Sequence, residues 1–171
     1  MVNDGPGQAA PDRLEAVREL LNTWLIPNDT RTPEDRFDAY ATQQHLAPPE
    51  RDQIRRLRDE LRIAVERPDD APGILNGWIE RLDVRPAVGP DGIGYQHRAG
   101  TVGQLVVACL DAVAAGRWRR LKACPDCRWV FYDHTRNAGK RWCLMTAGGP
   151  GGRSCGSIAK VRAHRRRTRG E

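Results

Sequence analysis

From residue 12 the chain places apolar residues three and four apart, interrupted by short breaks rich in proline and glycine. Leu14, Val17, Leu21, Trp24 and Leu25 fall at these steps and predict a first helix. Asp12 and Glu15 stand before it with the spacing of a capping box. "PNDTRTPEDRFDAY" ends that helix and begins another, with Thr32 as N-cap and Pro33 at the first helical position. "PERDQIRRLRDELRIAVE" predicts a third helix with Ile54, Leu57, Leu61, Ala64 and Val65 on its apolar face. Its charged residues read as a solvated surface of opposite-sign neighbours. Ile74, Leu75, Trp78 and Ile79 predict a short fourth helix. The period then shortens to two: Leu82, Val84, Pro86 and Val88 share one side, "GPDG" turns, and "GIGYQHRA" returns. Pro86 confines that hairpin's first strand to an edge. Thr101 and Gln104 open a last helix through "VGQLVVACLDAVAA", apolar on most sides, with Cys109 as a core cysteine.

This reading divides the chain into residues 1–11, disordered and rich in Gly, Pro and polar types, residues 12–116, a helical domain with a hairpin, and residues 117–171, a small module. A length of 171 residues suits one domain plus such a module. Charge follows the same division. Thirteen basic and nineteen acidic side chains give residues 1–116 a net −6, whereas fifteen basic and three acidic give residues 117–171 a net +12. Cationic charge gathered at one end is suited to a polyanion. The opening residues lack a basic stretch followed by an apolar one, and Asp111 interrupts the most apolar segment. A cytoplasmic protein without a membrane partner is therefore expected, and in that reducing compartment cysteines read as metal ligands or catalysts before disulfides. His45 and His97 are isolated, and residues 1–116 carry no nucleophile–base pair, phosphate loop or metal spacing. The expectation is a non-enzyme whose helical part senses a small-molecule effector or forms a homodimer.

The last third carries the chemistry. "CPDC" supplies Cys124 and Cys127, Cys143 follows, and Cys155 comes after a loop of mostly small residues. A two-residue spacing lets two thiolates approach one ion from a tight knuckle, and two more complete a tetrahedron at ~2.3 Å per Zn–S bond. The wide Cys143–Cys155 separation does not exclude the last ligand. Closure entropy grows logarithmically, so trebling a connection costs about 1 kcal/mol, against roughly 10–16 kcal/mol for structural zinc. A structural Zn2+ held by Cys124, Cys127, Cys143 and Cys155 is the favoured assignment. His134 or His164 in place of Cys155, and "CPDC" as a redox pair, are the alternatives. Trp129 and Trp142 read as packing residues of a module with little other core.

After Cys155, "GSIAKVRAHRRRTRG" predicts a helix capped by Ser157, with Ile158 and Val161 toward the module. Lys160, Arg162, Arg165, Arg166, Arg167 and Arg169 cover the rest. Arginine binds phosphates bidentately and reads guanine edges in the major groove. Arg136, Lys140 and Arg141, between the second and third cysteines, add candidate phosphate contacts. DNA is the expected partner and RNA the alternative; a loose basic tail remains as a third reading.

"CPDCRWVFYDHTRNAGKRWCLM" followed by "CGSIAKVRAHRRR" resembles the CGNR-type zinc finger of bacterial transcription regulators. In that family the finger follows a helical N-terminal domain, often described as stress-induced. The resemblance covers about 45 residues and implies zinc on the same four cysteines and a DNA-binding regulator. The family's Cys-Gly-Asn-Arg is here Cys155-Gly156-Ser157-Ile158, without the amide and the guanidinium. The expected architecture is mostly α with a small β-hairpin, followed by a treble-clef- or ribbon-like finger that ends in a basic helix.

Overall fold

The computed structural model describes residues 7–27, 30–90, 92–144 and 154–168, without the side chains of Ala159, Arg162, Ala163 and Arg166. The first apolar run closes sooner than its spacing predicts. Helix α1 spans Leu14–Leu21, and strand β1, Trp24–Leu25, pairs antiparallel with β2, Glu34–Asp35. Neither predicted N-terminal cap forms. Glu15 instead accepts the Ala10 N–H and holds the Arg18 guanidinium one turn along the same helix. Thr32 and Pro33 precede a strand, and α2, Phe37–Gln43, begins where the Asp35 carboxylate accepts the Phe37 N–H.

Helix α3, Pro48–Glu66, is the longest element and starts with two prolines at positions where no intrahelical donor is needed. A 3₁₀ turn at Pro68–Asp70 leads to α4, Ala71–Arg81. Strands β3, Arg85–Gly89, and β4, Gly92–Gln96, form the expected hairpin, with Val88 opposite Ile93. Its predicted apolar side does not hold: Leu82 and Val84 are buried, but Val88 is 88% exposed because the hairpin leaves the core beyond Val84. Helix α5, Gly100–Ala114, follows and is buried along most of its length. Its first turn is held by the Glu50 carboxylate from α3, which accepts the Thr101 N–H. A Cβ on Gly100 would lie 2.7 Å from that carboxylate, and φ of +45° favours glycine there as well. Burial pushes the Cys109 thiol up, as suits an inert core residue.

After a second 3₁₀ turn at Trp118–Arg120 comes a tight hairpin, β5, Leu121–Ala123, and β6, Val130–Tyr132; the last helix, α6, is Cys155–Thr168. All three residues of β6 are buried. Val130 and Tyr132 join the main core with α1, α3, α4 and α5, whereas Phe131 faces a second cluster of Leu25, Trp129 and four cysteines. The two parts read from the sequence therefore share a wall.

Polar contacts reinforce that wall. The Asn22 amide donates to the Val130 carbonyl at 2.8 Å and accepts the Val130 N–H at 2.7 Å, acting as one residue of a third strand. Two arginines on the supposedly solvated face of α3 are buried. Arg58 holds Asp35 and donates to the Thr23 hydroxyl. Arg62 donates to the carbonyls of Leu21, Trp24 and Arg128 and lies over the Trp24 ring. Burial pushes the Arg62 guanidinium down to about 10, which leaves it charged at neutral pH. Replacing Asn22 with Ala strands the buried Val130 N–H and leaves its carbonyl to the Arg18 guanidinium at 3.5 Å, so urea unfolding should show a loss of about 1–3 kcal/mol. Unchanged stability would mean that the β6 edge does not depend on this amide.

Candidate metal centre

The first two thiols come from the turn between β5 and β6. Cys124 N–H donates to the Trp129 carbonyl at 2.8 Å, and Arg128 N–H donates to the Cys124 carbonyl at 2.9 Å, which folds "CPDC" back on itself. Arg128 takes φ of +60° to close the turn. The helical part grips this knuckle from outside: Arg31 binds both Asp126 oxygens at 3.1 Å, and Ile26 N–H donates to the Cys127 carbonyl at 2.9 Å.

The third thiol arrives on a loop built around one buried carboxylate. Asp133 is fully buried and accepts from the Lys122 ammonium at 2.8 Å, the Thr135 N–H and hydroxyl, and the Lys140 N–H at 2.7 Å. Lys122 also reaches the carbonyls of Ala138 and Lys140, and Arg120 donates to those of Asp133 and Thr135. Burial alone would raise the Asp133 carboxyl, but these donors outweigh it and hold it well below the usual carboxylate range. The loop then delivers Cys143, buried among the aromatic side chains Trp129, Phe131 and Trp142.

The fourth thiol opens α6. Ser154, rather than the predicted Ser157, is the capping residue. Its hydroxyl accepts the Ser157 N–H and the Ser157 hydroxyl accepts the Ser154 N–H, both at 3.1 Å, a reciprocal cap that fixes the first turn. Gly156 N–H donates to the Leu144 carbonyl at 3.0 Å, joining the helix start to the segment that carries Cys143.

The four sulfurs lie within 4.8 Å of one another, and all four residues are buried. Cys127 and Cys143 sulfurs are 3.5 Å apart, and those of Cys143 and Cys155 are 3.6 Å apart. A tetrahedron with metal–sulfur bonds of ~2.3 Å has edges of about 3.8 Å, so the set fits one ion. The S–H groups of Cys127, Cys143 and Cys155 push the Cys124 thiol down. The same crowding, with burial, pushes Cys143 and Cys155 up. Four thiolates cannot accumulate here without a cation to share. Cys155 is thus part of the cluster. His134 is not: its Nε2 lies 2.7 Å from the Ala9 carbonyl, and its ring packs edge-on to Tyr132. His164 is exposed on α6 and also outside the cluster.

One contributor comes from the segment expected to be disordered. Residues 1–6 lie outside the described residues, but Gln8 is buried. Its amide donates to the Cys143 carbonyl at 3.2 Å and accepts the Trp129 indole N–H at 3.0 Å, while its carbonyl accepts the Tyr132 N–H at 3.0 Å. A lone glutamine in a glycine- and proline-rich lead has no sequence signal for this role. Asp133 lies within the stretch "CPDCRWVFYDHTRNAGKRWCLM" that carried the resemblance, but its spacing did not mark it as the centre of this loop.

The cationic candidates are distributed as follows. Arg136 and Arg141 are exposed and Lys140 half-buried; the Arg141 guanidinium lies 5.3 Å from the Trp142 ring centre. Lys160, Arg165 and Arg167 are exposed on α6. The backbone of Arg162 and Arg166 belongs to the helix, but their side chains, and all of Arg169, lie outside the described residues.

Two expectations follow from this geometry. Cys155→Ser should lower or loosen the metal content of purified protein, measured by elemental analysis before and after dialysis against chelator; unaltered retention would put the fourth donor elsewhere. Asp133→Asn should cost on the order of 3 kcal/mol at neutral pH, because a buried charge loses its counterpart. A carboxylate depressed in the folded state stabilises above its ordinary value and loses that contribution as pH falls through the folded value. The gap in melting temperature between wild type and variant should therefore narrow below about pH 4, with metal content followed alongside. A gap that stays constant would assign Asp133 a packing role only.

No curated protein matches this chain. A family model does: residues 120–168, from Arg120 at the base of the Asp133 loop to Thr168 at the end of α6, match the model described as CGNR zinc finger. That span contains all four thiols, so the module formed by β5, β6, the Asp133 loop and α6 is the part of the chain that resembles a CGNR zinc finger.

Proposed function

We propose that the ion is Zn2+ and that the protein is a DNA-binding transcription regulator without catalytic activity. An all-thiolate tetrahedron suits zinc and leaves no coordination position for a substrate, which supports a structural role. The observation that carries the reading is the double position of Cys155. It is a member of the thiol cluster and the first residue of α6, whose sequence is "CGSIAKVRAHRRRT". Binding the ion therefore fixes where an arginine-rich helix begins and how it leaves the module. Lys160, Arg165 and Arg167 are its exposed cations among the described side chains. With Arg136 and Arg141, they oppose a phosphate backbone. Arg162, Arg166 and Arg169 complete the set by sequence.

The "SI" that stands where the family name has Asn-Arg is compatible with this role, because Ser157 takes part in the reciprocal cap with Ser154. The charge lost at Ile158 is replaced by none nearby in sequence before Lys160, so contacts from the first turn are expected to be weak. One short helix buries little surface, and two copies reading two half-sites would supply the missing specificity. The helical part is the proposed site of self-association or of effector sensing, and the reducing cytoplasm is the proposed compartment.

Fluorescence anisotropy of a labelled DNA duplex with the zinc-loaded chain should show binding that falls steeply as salt rises. Removing the metal should abolish it. Duplex RNA should compete poorly, because the deep, narrow major groove of an A-form helix is closed to side chains. Preference for RNA would favour the alternative partner, and absent or salt-insensitive binding would sink the proposal.

A further inference from the structure

The finger does not meet solvent alone. Where the C-terminal end of α3 approaches it, an open groove of about 400 Å³ lies between Glu66 and Pro68 on one side and Ala123, Pro125 and Gly139 on the other. Four cations and one carboxylate line it: Lys122, Arg128, Lys140 and Arg141 against Glu66. Their roles differ. Lys122 is consumed by the buried Asp133 and two loop carbonyls, so it forms structure rather than surface. Glu66 divides its charge between Arg62, at 3.4 Å, and Arg128, at 3.2 Å, and cannot neutralise both. Lys140 and Arg141 have no acidic partner among the described residues; each lies against a ring, Phe131 and Trp142 respectively. A guanidinium within cation–π distance of an indole is attracted to the ring and keeps N–H groups for an anion.

The small residues of the floor matter equally. A Cβ on Gly139 would meet no atom within 4 Å, so the groove is open where a bulky group must enter. Its cations are also not loose surface charges. Lys140 follows the backbone N–H that Asp133 holds, Arg141 leads two residues later into Cys143, and Arg128 sits in the left-handed turn of the knuckle. Three positive groups are thus pinned to the metal-ordered finger and opened toward one trough.

We infer that this groove seats the phosphodiester backbone of duplex DNA beside the finger, with Arg128, Lys140 and Arg141 as its phosphate contacts. The inference rests on the DNA-binding reading above and extends it: the helical part takes part in the interface through the end of α3. Glu66 acts there as an internal competitor, since its carboxylate occupies the Arg128 guanidinium that a phosphate would claim. No sequence information is read at such a seat, so its contribution is the same for every duplex.

The test uses the full-length, zinc-loaded chain with a labelled duplex and compares wild type with Arg128→Gln, Lys140→Gln, Arg141→Gln and Glu66→Gln. Each lost phosphate contact should lower the slope of log affinity against log salt by about one, with equal weakening on unrelated duplexes. Glu66→Gln should bind more tightly than wild type, because it removes a negative charge and frees Arg128. Inorganic phosphate, added at matched ionic strength, should not displace the duplex; displacement would replace the DNA seat with a site for a small anion and overturn the inference. Zinc content and thermal melts exclude misfolding, and Arg141, exposed and without an ion pair among the described residues, keeps the test valid should Arg128→Gln unfold the knuckle. If wild type binds DNA but these variants keep its affinity and slope, the groove is overturned while the regulator reading survives. If wild type does not bind at all, both fall.

Discussion

A three-residue strand buried on both faces is the constraint on which the rest of this molecule turns. Val130 and Tyr132 of β6 belong to the core of the helical part, and Phe131 between them belongs to the cluster around the four thiols. Because side chains alternate along a strand, a displacement of β6 disturbs both clusters at once. A metal-free finger would leave Phe131 and Trp129 facing four mutually repelling or protonated thiols instead of a compact ion-centred cluster. The free energy of metal binding is therefore linked to the helical part through this hairpin and through the contacts of Gln8, Ile26, Arg31 and Arg62 with the finger. The same strand fixes the finger's orientation, since β6 cannot rotate against α1 while Asn22 pairs with both backbone groups of Val130.

Buried polar groups set that orientation more finely than apolar packing does. Arg62 gathers carbonyls from the end of α1, from β1 and from the knuckle, and Arg58 gathers Asp35 and Thr23. A buried charge is costly unless its partners have the right geometry, so each arginine penalises alternative arrangements of the elements it joins. Gln8 does the same for the finger, tying the Trp129 ring to the Cys143 carbonyl. The division of charge between the two parts of the chain is thus bridged by specific ties across a common wall. Neutral amides and buried guanidiniums hold the acidic body against the basic finger, beside the ion pairs Arg31–Asp126 and Arg128–Glu66.

Much of the helical part was legible because its helices carry strong three- and four-residue periodicity. Ile54, Leu57, Leu61 and Val65 are buried on α3 as that spacing requires, and Trp78 and Cys109 lie in the core. Boundaries and caps were less legible. Trp24 and Leu25 continue the helical spacing of α1 but pair with Glu34 and Asp35, because strand pairing and burial of Leu25 against the cysteine cluster outweigh local preference. Thr32 resembles a cap that is not used, and the effective cap at α6 is Ser154 rather than Ser157. The charged face of α3 shows the limit most clearly. Alternating charges normally indicate solvent, yet Arg58 and Arg62 are buried because the finger and the β1 segment cover that side.

The amino-acid order alone marked Cys124 and Cys127 by their two-residue spacing and made Cys143 and Cys155 the favoured partners, while the choice of Cys155 over His134 or His164 waited for the cluster itself. It also settled where the positive charge lies and which helices have an apolar side. What folding in three dimensions added was everything that depends on distant residues meeting. Gln8 at the start of the chain reaches Cys143, Asn22 completes β6, and the end of α3 lines a cationic groove with Arg128, Lys140 and Arg141. None of these contacts has a period or a motif. They arise because a small finger with little core of its own must borrow a wall from the helices, and the residues at that wall are selected by the fit between surfaces.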